Sequence, residues 1–168
     1  MTKVLFAGIV AICFVGLSAE RAFAQSRTAT FMLVPGIPGD SSHERYDGWI
    51  DVLSLTQTFD PIAKSGNVCS LAIHKRLDSA GPRLWAAAVT GQLFSQIQVD
   101  IVKEDDRPTK IYEILLVNAR VASIMSMEGG EGVIDSLTIT ADSVGLKFMR
   151  QNADGSIGQP ITASFSCK

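Results

Sequence analysis

Two histidines, three cysteines and a scatter of carboxylates are the side chains of this 168-residue sequence most able to ligate a metal, attack a carbonyl or relay a proton. His43 and Glu44, with Asp40 and Asp47 nearby, could be grouped as a metal site. They lie in a Gly/Pro-rich loop, however, and lack the fixed spacing of a known metal-binding motif, so they read as a solvated polar loop. His74 falls on the polar side of a strand, between Ala72 and Arg76, with Asp78 close behind. A triad would also need a placed nucleophile, and no G-x-S-x-G occurs. No phosphate-cradling glycine motif is present either. Asp105 and Asp106, beside Lys103 and Arg107, read as a charged hairpin tip. The expectation is a protein without catalytic, metal or cofactor-binding residues.

The cysteines divide by position. Lys3, then the uncharged run Val4 to Leu17, then Ala22-Phe23-Ala24, have the form of a secretory leader with cleavage between Ala24 and Gln25. Cys13 leaves with it. Cys69 and Cys167 remain, in a chain bound for an oxidising compartment. Cys69 shares a strand side with Leu71 and Ile73, and Cys167 with Phe165 and Ile161, so both point to the core. They are a candidate disulfide or two buried thiols. A bridge over so long a loop would stabilise by roughly 4–5 kcal/mol in the chain-entropy model.

A net charge of -2 and a pI near 5.6 argue against a nucleic-acid partner. Trp49, Trp85, Tyr46 and Tyr112 are not interleaved with Arg or Lys as a stacking platform. After leader removal no apolar run is long enough to cross a membrane as a helix. Residues 25–168 are expected to form one domain.

Period-two alternation dominates that domain. It predicts strands near 29–34, 48–59, 68–76, 95–103, 110–122, 134–141, 143–150 and 160–167. Turn signals at regular spacing then suggest an antiparallel barrel or sandwich. One short helix is predicted over 82–90, with Pro82 in its first turn and Gly91 as its C-terminal cap. Leu84, Trp85, Ala88 and Val89 would share its packed face. Two loops are long, Pro35 to Asp47 and Lys103 to Lys110.

Five segments, in order, resemble the haemolysin-coregulated protein (Hcp) family, the tube proteins of type VI secretion. FMLVPGIPGDSS (Phe31–Ser42) resembles a family strand followed by Gly-Ile-x-Gly-Glu-Ser. HERYDGWIDVLSL (His43–Leu55) resembles its Gly-Trp-Ile-Asp-Val-Leu-Ser strand and is the most specific match. LAIHKRLDSAGPRLWAAAVTG (Leu71–Gly91) resembles a strand, an Asp-x-Ala-Ser-Pro-x-Leu turn and a short helix, with Gly81 replacing the usual Ser. KIYEILLVNARVASI (Lys110–Ile124) resembles a long strand leading to a Ser-rich bend. SLTITADSVGLKFMRQNADGSIGQP (Ser136–Pro160) resembles the closing hairpin.

The resemblance implies a small antiparallel β-barrel of two sheets with one flanking helix. It implies a non-enzymatic protein whose partner is itself, in hexameric rings that stack into a tube and carry effector proteins, alongside other secretion-system proteins. Loop residues Pro35, Gly36, Ile37 and Gly39 would contact the next subunit. In the strand predicted over 48–59, Trp49, Leu53 and Leu55 lie on one side, Ile50 and Val52 on the other. Apolar residues on both sides imply two-sided burial, either under the chain's own loop or helix or against a neighbour. Trp49, Ile50 and Val52 therefore join the candidate interface. The leader departs from the family, whose tube proteins assemble in the cytoplasm. It points to a periplasmic or extracellular protein, and to a second reading: a stand-alone binding module on the same fold.

Overall fold

The computed structural model describes residues 27–60, 68–105, 107–130, 132–152 and 154–167. The leader and its cleavage site at Ala24 lie outside the described residues. Among the described residues, nine strands and one helix follow in order: β1 (Arg27–Leu33), β2 (Ile50–Val52), β3 (Ser54–Asp60), β4 (Val68–Arg76), α1 (Gly81–Thr90), β5 (Phe94–Glu104), β6 (Thr109–Gly129), β7 (Gly132–Thr140), β8 (Ser143–Phe148) and β9 (Ile161–Ser166). Every strand pairing is antiparallel. Alternation is the local cause. In β7, Asp135, Leu137 and Ile139 are buried while Ile134, Ser136 and Thr138 stay partly open.

Two sheets share β6. Its first half pairs with β5 on one flank and β8 on the other, completing a sheet β2-β1-β5-β6-β8-β9. Its second half pairs with β7, giving a sheet β6-β7-β4-β3. Asn118 marks the crossing with a φ of 50°, the left-handed region that asparagine tolerates better than most residues. A register shift between Val121 and Ser123 completes the bend. The sequence reading stopped this strand at residue 122. It continues to Gly129 because the hairpin with β7 extends the ladder to the Gly129–Gly132 pair.

The strand predicted over 48–59 is two strands. Thr30 of β1 pairs with Val52, but His74 of β4 pairs with Ser54. Between them Leu53 stands half exposed and donates its N–H to the His74 carbonyl (2.8 Å). Side alternation restarts there, so Val52 and Leu55 both face inward. The expected barrel is thus open. Its hydrogen-bonded path ends at β2 and β3, which meet through the covalent chain at Leu53 rather than through a ladder.

Between the sheets lie Met32, Ile50, Leu71, Ile73, Ile97, Val99, Ile114, Leu137 and Ile139, all fully buried. Each such side chain contributes about 1.5–3 kcal/mol relative to exposure. Helix α1 adds Leu84 and Ala87 to this core. The predicted helix face is half met: Leu84 is buried and Ala88 packs against the core, but Trp85 and Val89 are exposed, and the buried stripe is Gly81, Leu84 and Ala87. Gly91, at φ 63°, ends the helix, with the Gln92 N–H donating to the Ala87 carbonyl (2.9 Å).

Cys69 of β4 and Cys167 are bridged, with Cα atoms 5.5 Å apart. Phe59 and Phe165 meet edge-on beside them, ring centroids 5.1 Å apart.

Candidate assembly surface

The loop between β1 and β2 reads in sequence as a string of loop formers, yet its backbone is bonded to itself. The Ile37 N–H reaches the Val34 carbonyl (3.0 Å) across a turn in which Gly36 takes φ 77°. Further along, Gly39 N–H donates to Gly48 O (2.8 Å), Ser41 N–H to Trp49 O (3.0 Å) and Gly48 N–H to Ser41 O (2.9 Å). Gly39 is obligatory for its closeness. A Cβ there would stand 2.4 Å from the Trp49 carbonyl oxygen and 2.7 Å from Ile50 Cα.

Side chains fasten this flap to the outer face of the first sheet. Tyr46 stacks on Phe31 (4.3 Å) and meets Trp49 edge-on (4.9 Å). The Tyr46 hydroxyl donates to Asp100 (3.1 Å), which also accepts from Gln98 (2.9 Å) and faces Lys110 (3.3 Å). Burial, then the Asp100 charge, pushes the Tyr46 phenol well above its usual range. Burial opposes the Lys110 charge, but the hydrogen bond to Glu113 and the charge of Asp100 together raise that ammonium above its ordinary value. His43 lies 3.4 Å from Glu104, and Arg45 donates to the Pro108 carbonyl (2.8 Å). The exposed Asp40 accepts from the Ser79 hydroxyl and N–H, which hold its carboxyl below the usual range. The segment read as a solvated loop is an ordered cover.

This placement corrects part of the candidate interface. Ile37, Ile50 and Val52 are buried in the subunit's own core, so they have no surface to offer a neighbour. Leu55 joins Ile50 and Val52 on the core side through the restart at Leu53, while Trp49, on the other side, packs against the chain's own loop. Trp49 is half-buried on the Tyr46 cluster. Pro35 and Gly36 are exposed, and Gly39 is partly so.

Sequence reasoning missed a buried ionic cluster under α1. Lys75, wholly buried, reaches Asp78 (2.6 Å), Asp135 (3.1 Å) and the Arg76 carbonyl (2.8 Å). Asp135, equally buried, accepts from Ser126 (2.5 Å), and Trp85 donates its indole N–H to that Ser126 (3.3 Å). The signal was available. Lys75 shares strand parity with Leu71 and Ile73, an ionisable group on the core side. Gly81 belongs to the same cluster, since a Cβ there would crowd Asp135 Oδ2 at 3.3 Å. The chain's Gly, where the resemblance has Ser, leaves room for the Lys75–Asp135 pair.

Several large apolar side chains are left uncovered. Phe148 and Ile161 are cross-strand partners on β8 and β9, and both are exposed, Ile161 at 63%. On and after α1, Trp85, Val89 and Leu93 are exposed, Val89 at 81%. His74 bonds Ser54 (2.8 Å) on the outer face of the second sheet. A cleft of about 560 Å³ near the β5–β6 tip is lined by Asp105, Arg107, Thr109, Asp154 and Ser156. Among the described residues, no three His, Cys, Asp or Glu side chains gather as metal ligands, and no helix is long and apolar enough to cross a membrane.

Residues 31–154 match the family described as "Type VI secretion system effector, Hcp". Solved structures are similar over most of their length. Hcp1 from Salmonella typhimurium is 20% identical with a TM-score of 0.71, covering 83% of this chain and 94% of its own. A protein described as a type six secretion system protein is 18% identical with a TM-score of 0.74, covering 83% of this chain and 96% of its own. The secreted protein Hcp3 from Pseudomonas aeruginosa is 14% identical with a TM-score of 0.66, covering 84% and 99%. No curated protein matches the chain.

Proposed function

The chain belongs to the Hcp family of type VI secretion proteins, and from that premise we propose that it is an exported, non-enzymatic structural subunit that closes into hexameric rings. The observation that carries the reading is the pair of unlike apolar surfaces on one subunit. Phe148 and Ile161 form one, on β8 and β9; Trp85, Val89 and Leu93 form the other, at α1. Unlike patches suit head-to-tail contact, which closes into a ring when the rotation per subunit allows it. Pro35, Gly36 and Trp49 lie on the flap and would extend such contacts. Rings of this kind could stack into a tube and carry effector proteins. The leader, with Ala24 before the cut, supports export to the periplasm or beyond.

The test is the mass of protein processed to residues 25–168 and purified from periplasm, by size-exclusion chromatography with light scattering. A species of about six subunits is expected. A monomer at all concentrations would overturn the ring and leave the stand-alone binding module, which the leader favours, as the reading.

Ile161→Lys separates assembly from folding. Ile161 is largely exposed, so stability should change by about 0.5 kcal/mol or less. The oligomer should dissociate in the same light-scattering measurement. An unchanged mass would remove β9 from the interface.

A further inference from the structure

Strand β9 is an outer edge of its sheet, and among the described residues β8 is its only strand partner. Its residues Ile161, Thr162, Ala163 and Ser164 are exposed. Side-chain links tie its far end to the other sheet. Phe165 meets Phe59, and Cys167 is bonded to Cys69. The two receiving residues are themselves direct partners across β3 and β4. The junction therefore lands on one rung of the β3–β4 ladder, and it spans the gap between a six-strand sheet and a four-strand one.

The two ends of the bridge differ in how firmly they are held. Cys69 sits on β4, which is laddered to β3 on one side and to β7 on the other. Cys167 lies just past β9, outside any strand, and its N–H bonds the Asp142 carbonyl in the connection from β7 to β8 (2.8 Å). None of the fully buried core residues is on β9.

We propose that the Cys69–Cys167 bridge is a redox latch on β9. Bridged, it pins the strand to the second sheet. Reduced, β9 loses its covalent tie to the second sheet and opens without unfolding the two-sheet body. The chemistry is thiol–disulfide exchange with an external dithiol. A dithiol thiolate attacks the Cys167 sulfur, the S–S bond breaks, and Cys69 departs as a thiolate and takes up a proton. The second thiolate of the dithiol then displaces Cys167 as a thiol. The reagent ends as a disulfide, and the protein has gained two electrons and two protons. Locking is the reverse, with a small-molecule or protein disulfide as oxidant. Since thiol-rich compartments keep such pairs reduced and extracytoplasmic ones oxidise them, β9 would be loose before export and fixed after it.

Hydrogen exchange by mass spectrometry on the chain 25–168, with and without dithiothreitol, tests this. Alkylation counts the free thiols in each sample. The reading is the exchange rate of the β9 amides bonded to β8, divided by that of β5–β6 core amides in the same sample. Taking the ratio cancels any uniform loss of stability. Full reduction is expected to raise the ratio at least tenfold, and the Cys69→Ser/Cys167→Ser variant should show the reduced pattern without reagent. An unchanged ratio in the fully reduced wild type would overturn the latch and leave the bridge a global staple. If the variant does not fold, the reduced wild type alone decides.

Discussion

Replacing Lys75 with alanine should cost about 3–5 kcal/mol of folding stability, the range for stripping one partner from a buried ion pair. The cause is what remains. Lys75 and Asp135 are both fully buried, and the three ammonium protons have three acceptors in Asp135, Asp78 and the Arg76 carbonyl. Without the ammonium, Asp135 keeps only the Ser126 hydroxyl as a neutralising donor at its other oxygen. A carboxylate in that position loses solvation without charge compensation. Small domains have only about 5–15 kcal/mol in total, so this variant stands near the limit of folding. Urea unfolding of the single variant measures the loss. The double variant Lys75→Met/Asp135→Leu, which removes both charges, should recover much of it, because uncharged side chains of similar volume often replace a buried pair at little cost. A single variant within about 1 kcal/mol of wild type would show that the cluster is solvated by local opening.

Gly39→Ala should cost about 3 kcal/mol, at the upper end for forcing an extra carbon into a packed site. The atoms it meets are the Trp49 carbonyl oxygen and Ile50 Cα, backbone rather than the flexible end of a side chain. Relief would require moving the flap outward, which strains the Gly39–Gly48 and Ser41–Trp49 hydrogen bonds. Gly36→Ala is the informative control. That position has a positive φ but open space, so the penalty is backbone strain of about 1–2 kcal/mol alone. Thermal melts rank the two, and Trp49 fluorescence reports whether the flap has shifted. Equal losses would mean that a small shift of the flap relieves the close approach at Gly39.

The strands and the helix were readable because period-two and period-3.6 patterns depend on burial, which each residue type reports by itself. Corners were not readable. Nothing in the composition of 48–59 says that Val52 will pair with β1 and Ser54 with β4, since that depends on which strands lie on either side. Because the alternation restarts at Leu53, Ile50 and Val52 resembled residues covered by a second molecule when the core alone covers them. The helix face was only partly readable for a related reason: ten residues hold too few turns to separate Ala87, which is buried, from Trp85 and Val89, which are not. Alternation also tells that a side chain is covered, not by what. Surfaces such as Phe148–Ile161 therefore become visible only when the subunit's own packing is known.

Strand β6 has a mechanical consequence. It is 21 residues long, laddered to β5 and β8 along one half and to β7 along the other. Sliding one sheet over the other would have to stretch this common strand or break many parallel-loaded hydrogen bonds at once. Shear is thus resisted by the backbone's tensile strength, whereas peeling from the β9 edge breaks bonds one at a time. A subunit built this way transmits a push through both sheets as one stiff body, and yields first at its rim.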